Sequence, residues 1–231
     1  MKVTSTGLIL KQIEMGPMVN YVYIIGCAET REAGVVDPAW DVPAILRTAR
    51  ELGLRLRHVL VTHAHPDHVN GLEELLQATD ATAYLNEAES GYLSEMSKVF
   101  QVSVEFLERR SANIRLVSDN EEVQVGKILV RCLHTPGHTP GSQCFLIGKA
   151  LFSGDTLFVG ACGRIDLPGG DAGKMWWSLN QKLRALDDDI ILYPGHNYGG
   201  QPTSTLGEQK RSNPYMRFDS PDEFARAMGA W

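Results

Sequence analysis

The sequence predicts an α+β protein, with strands dominating two stretches of the chain and helices following each stretch. Three observations carry this. Short β-branched and aromatic runs separated by turn residues fill 7–37 and 114–152. Amphipathic helical patterns follow them at 41–53, 72–78 and 175–186. Finally, four turns attached to apolar strands hold five of the seven histidines.

In chain order, 7–14, 20–25 and 34–37 read as strands, the second rich in Tyr, Val and Ile. A helix follows over 41–53, with Asp41 as N-cap, Pro43 in its first turn, Ile45, Leu46, Ala49 and Leu52 on one face, and Gly53 at its stop. The apolar run 56–62 is a buried strand, 72–78 a helix and 82–85 a strand. Residues 86–99 are mostly helical in pattern, and 100–113 has no clean period, so 86–113 is expected to be an insertion forming a lid or wall. Strands return at 114–117, 122–125 and 128–133, the last two joined by Gly126-Lys127, and then at 143–147 and 150–152. Residues 161–173 read as irregular, 175–186 as a helix and 189–193 as a strand. A short helical tail begins near 203, with helices near 205–212 and 219–228. With no repeat and no low-complexity linker, residues 1–231 read as a single domain.

Composition is that of an ordinary globular protein, 43% hydrophobic and 22% charged. A net charge of −6 argues against a nucleic-acid partner held by a broad basic surface. Cys27, Cys132, Cys144 and Cys162 form no C-x-x-C pair and read as core cysteines of a reducing compartment. The first residues lack the apolar core of a signal peptide, and no run is long and apolar enough to span a membrane. A cytoplasmic location is the default expectation, with a monomer or a homodimer both open.

The chemistry concentrates in Val61-Thr62-His63-Ala64-His65-Pro66-Asp67-His68. Imidazole and carboxylate together suit zinc or iron, and the preceding apolar strand tethers the turn to a core. His138, Asp155 and His196 each follow a glycine in a turn on another apolar strand. A small residue there lets the backbone come close and re-aims the next side chain. Five histidines and two aspartates exceed the needs of one tetrahedral zinc. They suit two ions about 3.5–4 Å apart with a bridging carboxylate. His58 and His134 fall outside these turns and read as structural or surface residues.

The motifs T-H-x-H-x-D-H, T-P-G-H-T-x-G, F-x-G-D-T-L-F and P-G-H, spread over essentially the whole chain, resemble those of the metallo-β-lactamase superfamily, and specifically its glyoxalase II-like hydrolases. The resemblance implies a four-layer αββα sandwich, with the site along one edge of two packed sheets. The strand and helix pattern agrees with that fold without demanding it. The resemblance also implies that His63, His65 and His138 hold one ion, that Asp67, His68 and His196 hold a second, and that Asp155 bridges them. The ions expected are zinc, with iron or a zinc/iron mixture as alternatives. Asp155 stands where true β-lactamases of this fold usually have Cys or Ser, which argues against antibiotic hydrolysis; a lactonase is likewise a weaker reading.

The activity implied is metal-assisted hydrolysis of a small-molecule thioester of the S-acylglutathione type. Asp67 and Asp155 are the carboxylates nearest the chemistry, and Arg164 and Tyr198 resemble glutathione contacts. Asp166 departs from the aromatic residue usual in glyoxalase II, and only 35 residues follow His196, fewer than the helical glutathione-binding domain of that family needs. The runner-up is a persulfide dioxygenase, with one iron on His63, His138 and Asp155 oxidising glutathione persulfide. Leu167-Pro168 departs from that family's usual pair. Trp40, Trp176 and Trp177 could line a pocket, with the core the better expectation for the adjacent pair.

Overall fold

The computed structural model describes residues 2–3, 7–92 and 113–229. Its strands in chain order are Lys2–Val3 (β1), Leu8–Met15 (β2), Asn20–Cys27 (β3), Glu32–Val36 (β4), Arg55–Leu60 (β5), Thr82–Asn86 (β6), Ile114–Val117 (β7), Glu122–Val125 (β8), Ile128–His134 (β9), Gln143–Ile147 (β10), Ala150–Gly154 (β11), Leu157–Phe158 (β12), Ala161–Cys162 (β13), Ile191–Pro194 (β14) and Ser204–Thr205 (β15). The helices are Val42–Glu51 (α1), Pro66–Val69 (α2), Leu72–Ala78 (α3), Ala172–Trp177 (α4), Leu206–Ser212 (α5) and Pro221–Ala227 (α6).

β1 to β7 form one sheet in sequence order, antiparallel up to β4 and parallel from β4 to β7. The second sheet runs β8, β9, β10, β11, β14, β15, antiparallel except for the parallel β11–β14 pair. Side-chain alternation shows how they stack. Every residue of β3 is buried. Val22 and Ile24 face one way, packing with Ile45 and Ala49 of α1 and Leu72, Leu75 and Leu76 of α3. Tyr21, Tyr23 and Ile25 face the other way, meeting Phe145 of β10 and Phe152 of β11. On β10, Cys144 and Leu146 turn outward to Met175 of α4, Leu206 of α5 and Phe224 of α6. A strand buried on both faces must sit between two apolar layers. The three clusters therefore define helix, sheet, sheet, helix, the αββα sandwich that the motifs imply.

Most expected elements form within a residue or two of their predicted ends. Asp41 caps α1 through Oδ1, which accepts from the Ala44 N–H at 2.8 Å. Gly53 follows with a positive φ of 63°. His58 is structural, with its ring nitrogens on Glu32 at 2.7 Å and the Tyr84 hydroxyl at 3.3 Å.

Four expectations need correction. The helix over 175–186 is instead α4 followed by a wide π turn, Ser178–Lys182, and a 3-10 turn, Leu183–Ala185. Ser178 Oγ donates to the Pro136 carbonyl at 2.7 Å there, and Met175, Leu179 and Leu183 all reach the core. The tail is not purely helical, because Ser204 and Thr205 pair with Leu192 and Ile191 at the edge of the second sheet. Residues 161–173 are not wholly irregular, since β12 and β13 make a two-stranded hairpin. Trp176 packs against the outer core, but Trp177 is exposed, with the Lys182 ammonium 5.5 Å from its ring. Most of the expected insertion, 93–112, lies outside the described residues. Among the described residues no helix is long and apolar enough to cross a membrane.

Candidate metal centre

The parallel pairs bring the functional turns together, because strands running side by side deliver their carboxyl ends to one edge. β4 ends at Asp37 and β5 at the Thr62–His68 turn, whose Pro66–Val69 portion winds into α2. In the other sheet, β11 ends at Asp155 and β14 at His196, while the His138 loop joins β9 to β10. Backbone bonds lock the edges together. Gln143 N–H donates to the Thr62 carbonyl and Tyr21 N–H to the Gly195 carbonyl, both at 2.8 Å. Glycine is required where these turns close. Gly154 has a φ of 48°, and a Cβ on it would lie 2.3 Å from Thr62 Oγ1. A Cβ on Gly195 would lie 2.5 Å from Asp155 Oδ1.

The seven predicted ligands converge. One donor atom each from His63, His65 and His138 lies within 4.8 Å of the others, and the same holds for Asp67, His68 and His196. Asp155 stands between the triads. Its Oδ1 is 3.3 Å from His68 Nε2, and its Oδ2 is 3.4 Å from His196 Nε2 and 3.6 Å from His138 Nε2. All of these side chains are buried except that of Asp67, which is 15% exposed.

The hydrogen bonds behind the rings fix which nitrogen faces inward. His68 Nδ1 donates to Asp37 Oδ2 at 2.9 Å, and His196 Nδ1 donates to the Met18 carbonyl at 2.8 Å. His138 Nδ1 donates to the Arg164 carbonyl at 2.7 Å. Thr62 Oγ1 spends its proton on Asp37 Oδ2 at 2.6 Å and so accepts from His63 Nδ1 at 3.1 Å. A neutral ring that donates from Nδ1 has a lone pair at Nε2. Four Nε2 atoms therefore point into the site. Those of His63 and His138 have no hydrogen-bond partner, and neither does Asp155 Oδ1. His68 Nε2 faces His196 Nε2 at 3.0 Å. Lone pairs so close repel unless a proton or a metal ion lies between them. His65 is turned the other way, with Nε2 against the Tyr92 hydroxyl at 3.0 Å. This donor set fits divalent ions held by imidazole and carboxylate.

The charges divide unevenly. Burial, reinforced by the neighbouring imidazoles, holds His63 well below the usual imidazole range and His65 at about 3; burial also lowers His138. At His68 burial works against the proton, but the Asp155 and Asp37 carboxylates overcome it and raise the pKa well above normal. His196 follows the same pattern: burial opposes its proton, yet hydrogen bonds to Asp155 and Asp67 push it up to about 9. Burial would raise Asp67 and Asp155, but these imidazoles keep both carboxylates well below the usual range.

The triads open onto a cleft of about 600 Å³ whose walls include Met18, Trp40, Phe158, Leu167 and Tyr198. Tyr198 stacks on His196 at 4.5 Å between ring centroids, and burial pushes its hydroxyl up to about 12. Arg164 also lines the cleft, but its guanidinium is committed to Asp166 through two bonds of 2.6 Å. Trp40 lines the cleft too, and its indole N–H donates to Asn20 Oδ1 at 2.9 Å. The Asn20 amide in turn donates to Asp67 Oδ2 at 2.9 Å.

Sequence reasoning missed Asn20, Asp37, Glu89 and Tyr92. Asp37 had one visible signal, a carboxylate closing an apolar strand before proline. It also has a positive φ of 51°, the kind of backbone strain that gathers at functional sites.

Residues 15–196 match a family model described as the metallo-beta-lactamase superfamily. The chain is 31% identical to a probable polyketide biosynthesis zinc-dependent hydrolase, PksB, of Bacillus subtilis (strain 168), over 90% of this chain and 86% of that one. It is 33% identical to hydroxyacylglutathione hydrolase of Rhodospirillum rubrum (91% and 87%) and 30% identical to human mitochondrial persulfide dioxygenase ETHE1 (98% and 82%). The crystal structure of ETHE1 from Myxococcus xanthus superposes with a TM-score of 0.82 at 33% identity, over 96% of this chain and 90% of that one.

Proposed function

Because the chain belongs to the metallo-beta-lactamase superfamily, we propose that it is a metal-dependent hydrolase of the glyoxalase II-like branch, cleaving a thioester of the S-acylglutathione type with two divalent ions, zinc first among them. One observation carries the two-ion reading. Asp155 presents its carboxylate to both triads, with Oδ1 toward His68 and Oδ2 toward His138 and His196. Paired divalent ions would polarise the substrate carbonyl and make water acidic enough to attack it.

The chain's own groups do the rest. His63, His65, His138, Asp67, His68, His196 and Asp155 would hold the ions. Asp67, ionised and at the cleft, accepts a hydrogen bond from the attacking water and orients it. The Tyr198 hydroxyl keeps its proton at neutral pH and can donate it in a hydrogen bond to the substrate. Thioesters suit this site because a thiolate leaves without first being protonated. Tyr198 is the freer of the two expected glutathione contacts, since Arg164 would have to exchange Asp166 for a substrate carboxylate.

The similarity to a persulfide dioxygenase keeps a second reading alive, one iron on His63, His138 and Asp155. It leaves the separately braced Asp67, His68 and His196 set without a task. Metal analysis and thiol release on purified protein test the choice. About two zinc ions per chain with thioester cleavage is the expected result. A single iron, with oxygen consumed on glutathione persulfide, would overturn it.

A further inference from the structure

Glu89 is a charged-type side chain at only 1% exposure that the hydrolytic scheme leaves unused. Its Oε1 accepts from the Ala64 N–H at 2.7 Å, and its Oε2 accepts from the Gly141 N–H at 2.7 Å. The Thr139 hydroxyl is shared between both oxygens at 3.0 Å. Ala64 is the residue between His63 and His65, and Thr139 directly follows His138. One carboxylate thus ties the two turns that supply the first triad, one turn from each sheet. The approach is close enough to dictate glycine at 141, where a Cβ would lie 2.4–2.5 Å from the Glu89 N, Cβ and Oε2 atoms. Tyr92, three residues on, meets His65 Nε2 at 3.0 Å. The second triad is braced by different groups, Asn20 on Asp67, Asp37 on His68 and the Met18 carbonyl on His196.

We propose that Glu89 is a positioning residue for the His63, His65 and His138 site, setting the separation of its two turns and hence its affinity for an ion, while the Asp67, His68 and His196 site is indifferent to it. All of its partners are donors, so an acceptor-only group is needed. A glutamine would turn an NH₂ against the Ala64 or the Gly141 N–H. Groups behind metal ligands typically change metal affinity 10- to 100-fold.

The inference rests on the metal-holding roles proposed above, and the test separates the two. Zinc is titrated into metal-free protein against a chromogenic chelator for wild type, Glu89→Gln and the milder Thr139→Val, which removes only the shared hydroxyl. The expected result is that one ion of the two binds about 10- to 100-fold more weakly in Glu89→Gln, and less so, in the same step, in Thr139→Val. In a His68→Ala background, which leaves the first triad, the loss persists; in a His138→Ala background it vanishes. Equal weakening of both ions, or unchanged affinities with only a lower melting temperature, overturns the proposal. If Glu89→Gln does not fold, Thr139→Val decides in the same way. A wild-type chain that takes up one ion overturns the two-ion reading, and Glu89 is then judged on that ion's affinity alone.

Discussion

The two triads lie against each other, yet they are built on opposite electrostatic plans. The first consists of three imidazoles with no carboxylate of its own, and burial keeps their pKa values low. In the second, Asp67 joins His68 and His196, with Asp37 behind His68, and both imidazoles have raised pKa values. The first triad is thus a set of bare lone pairs, whereas the second already holds protons. An ion entering the first replaces nothing; an ion entering the second must displace a proton. The lesson is that carboxylates beside and behind an imidazole, rather than the imidazole itself, decide which triad holds protons.

The largest expected effect removes the carboxylate that faces both triads. Asp155→Ala should lower kcat/KM for thioester cleavage by about a thousandfold or more, several kcal/mol of charge stabilisation. Metal content should fall with it, while circular dichroism stays that of the folded chain. Near wild-type turnover in this variant would break the bridging assignment.

Acidity should pull the triads apart. With His196 near 9 and His68 also raised, affinity for the second ion should weaken by at least about tenfold per pH unit below that value. The first ion, on imidazoles already neutral, should show almost no dependence down to mildly acidic pH. Calorimetry in buffers of different ionisation enthalpy would count the protons released by each ion. Equal release from both sites would remove the contrast. The metal-free chain should follow the same division. His196, raised above 6.5, contributes stability that is complete below 6.5 and lost as pH rises through about 9. His65, lowered from 6.5, contributes stability that is complete above 6.5 and lost as pH falls toward about 3.

The smallest effect lies at the cleft wall. Trp40 has a positive φ of 63°, its ring covers Gly16, and its indole reaches Asp67 only through Asn20. Trp40→Ala should raise KM for thioesters with bulky apolar acyl groups by about tenfold, the loss of roughly 1.4 kcal/mol of apolar contact. The kcat and the KM for an acetyl thioester should barely change. A matching fall in kcat would mean that the indole positions Asp67 as well as the substrate.

The residues of the two triads and Asp155 were legible because each lies in a turn whose neighbours betray it. His63 to His68 are nearly contiguous, and Gly137, Gly154 and Gly195 mark the remaining three turns. The strands were legible from β-branched runs, and the layering of β3 follows from its period-2 alternation. Asn20, Asp37 and Glu89 were not legible as site residues. Asp37 reaches His68 across 31 positions, Asn20 reaches Asp67 across 47, and Glu89 reaches Gly141 across 52. No local pattern encodes a partner that arrives only when distant strands pair, as for Asn20 and Asp37, or when the two sheets pack, as for Glu89. Trp177 misled because a position two residues beyond Met175 lies about 200° around a helix, on the face turned away from the core that Met175, Leu179 and Leu183 reach.

The distribution of donors over both sheets also has a consequence for biosynthesis. A growing polypeptide that has emerged through the His63–His68 turn offers four donor side chains but neither Asp155 nor His196. The second triad is completed only when β14 has been made and has settled beside β11. Assembly of the second triad is thus a late event, whereas the first needs only the chain as far as His138, and a product that ends before β14 lacks His196 and holds only part of the site.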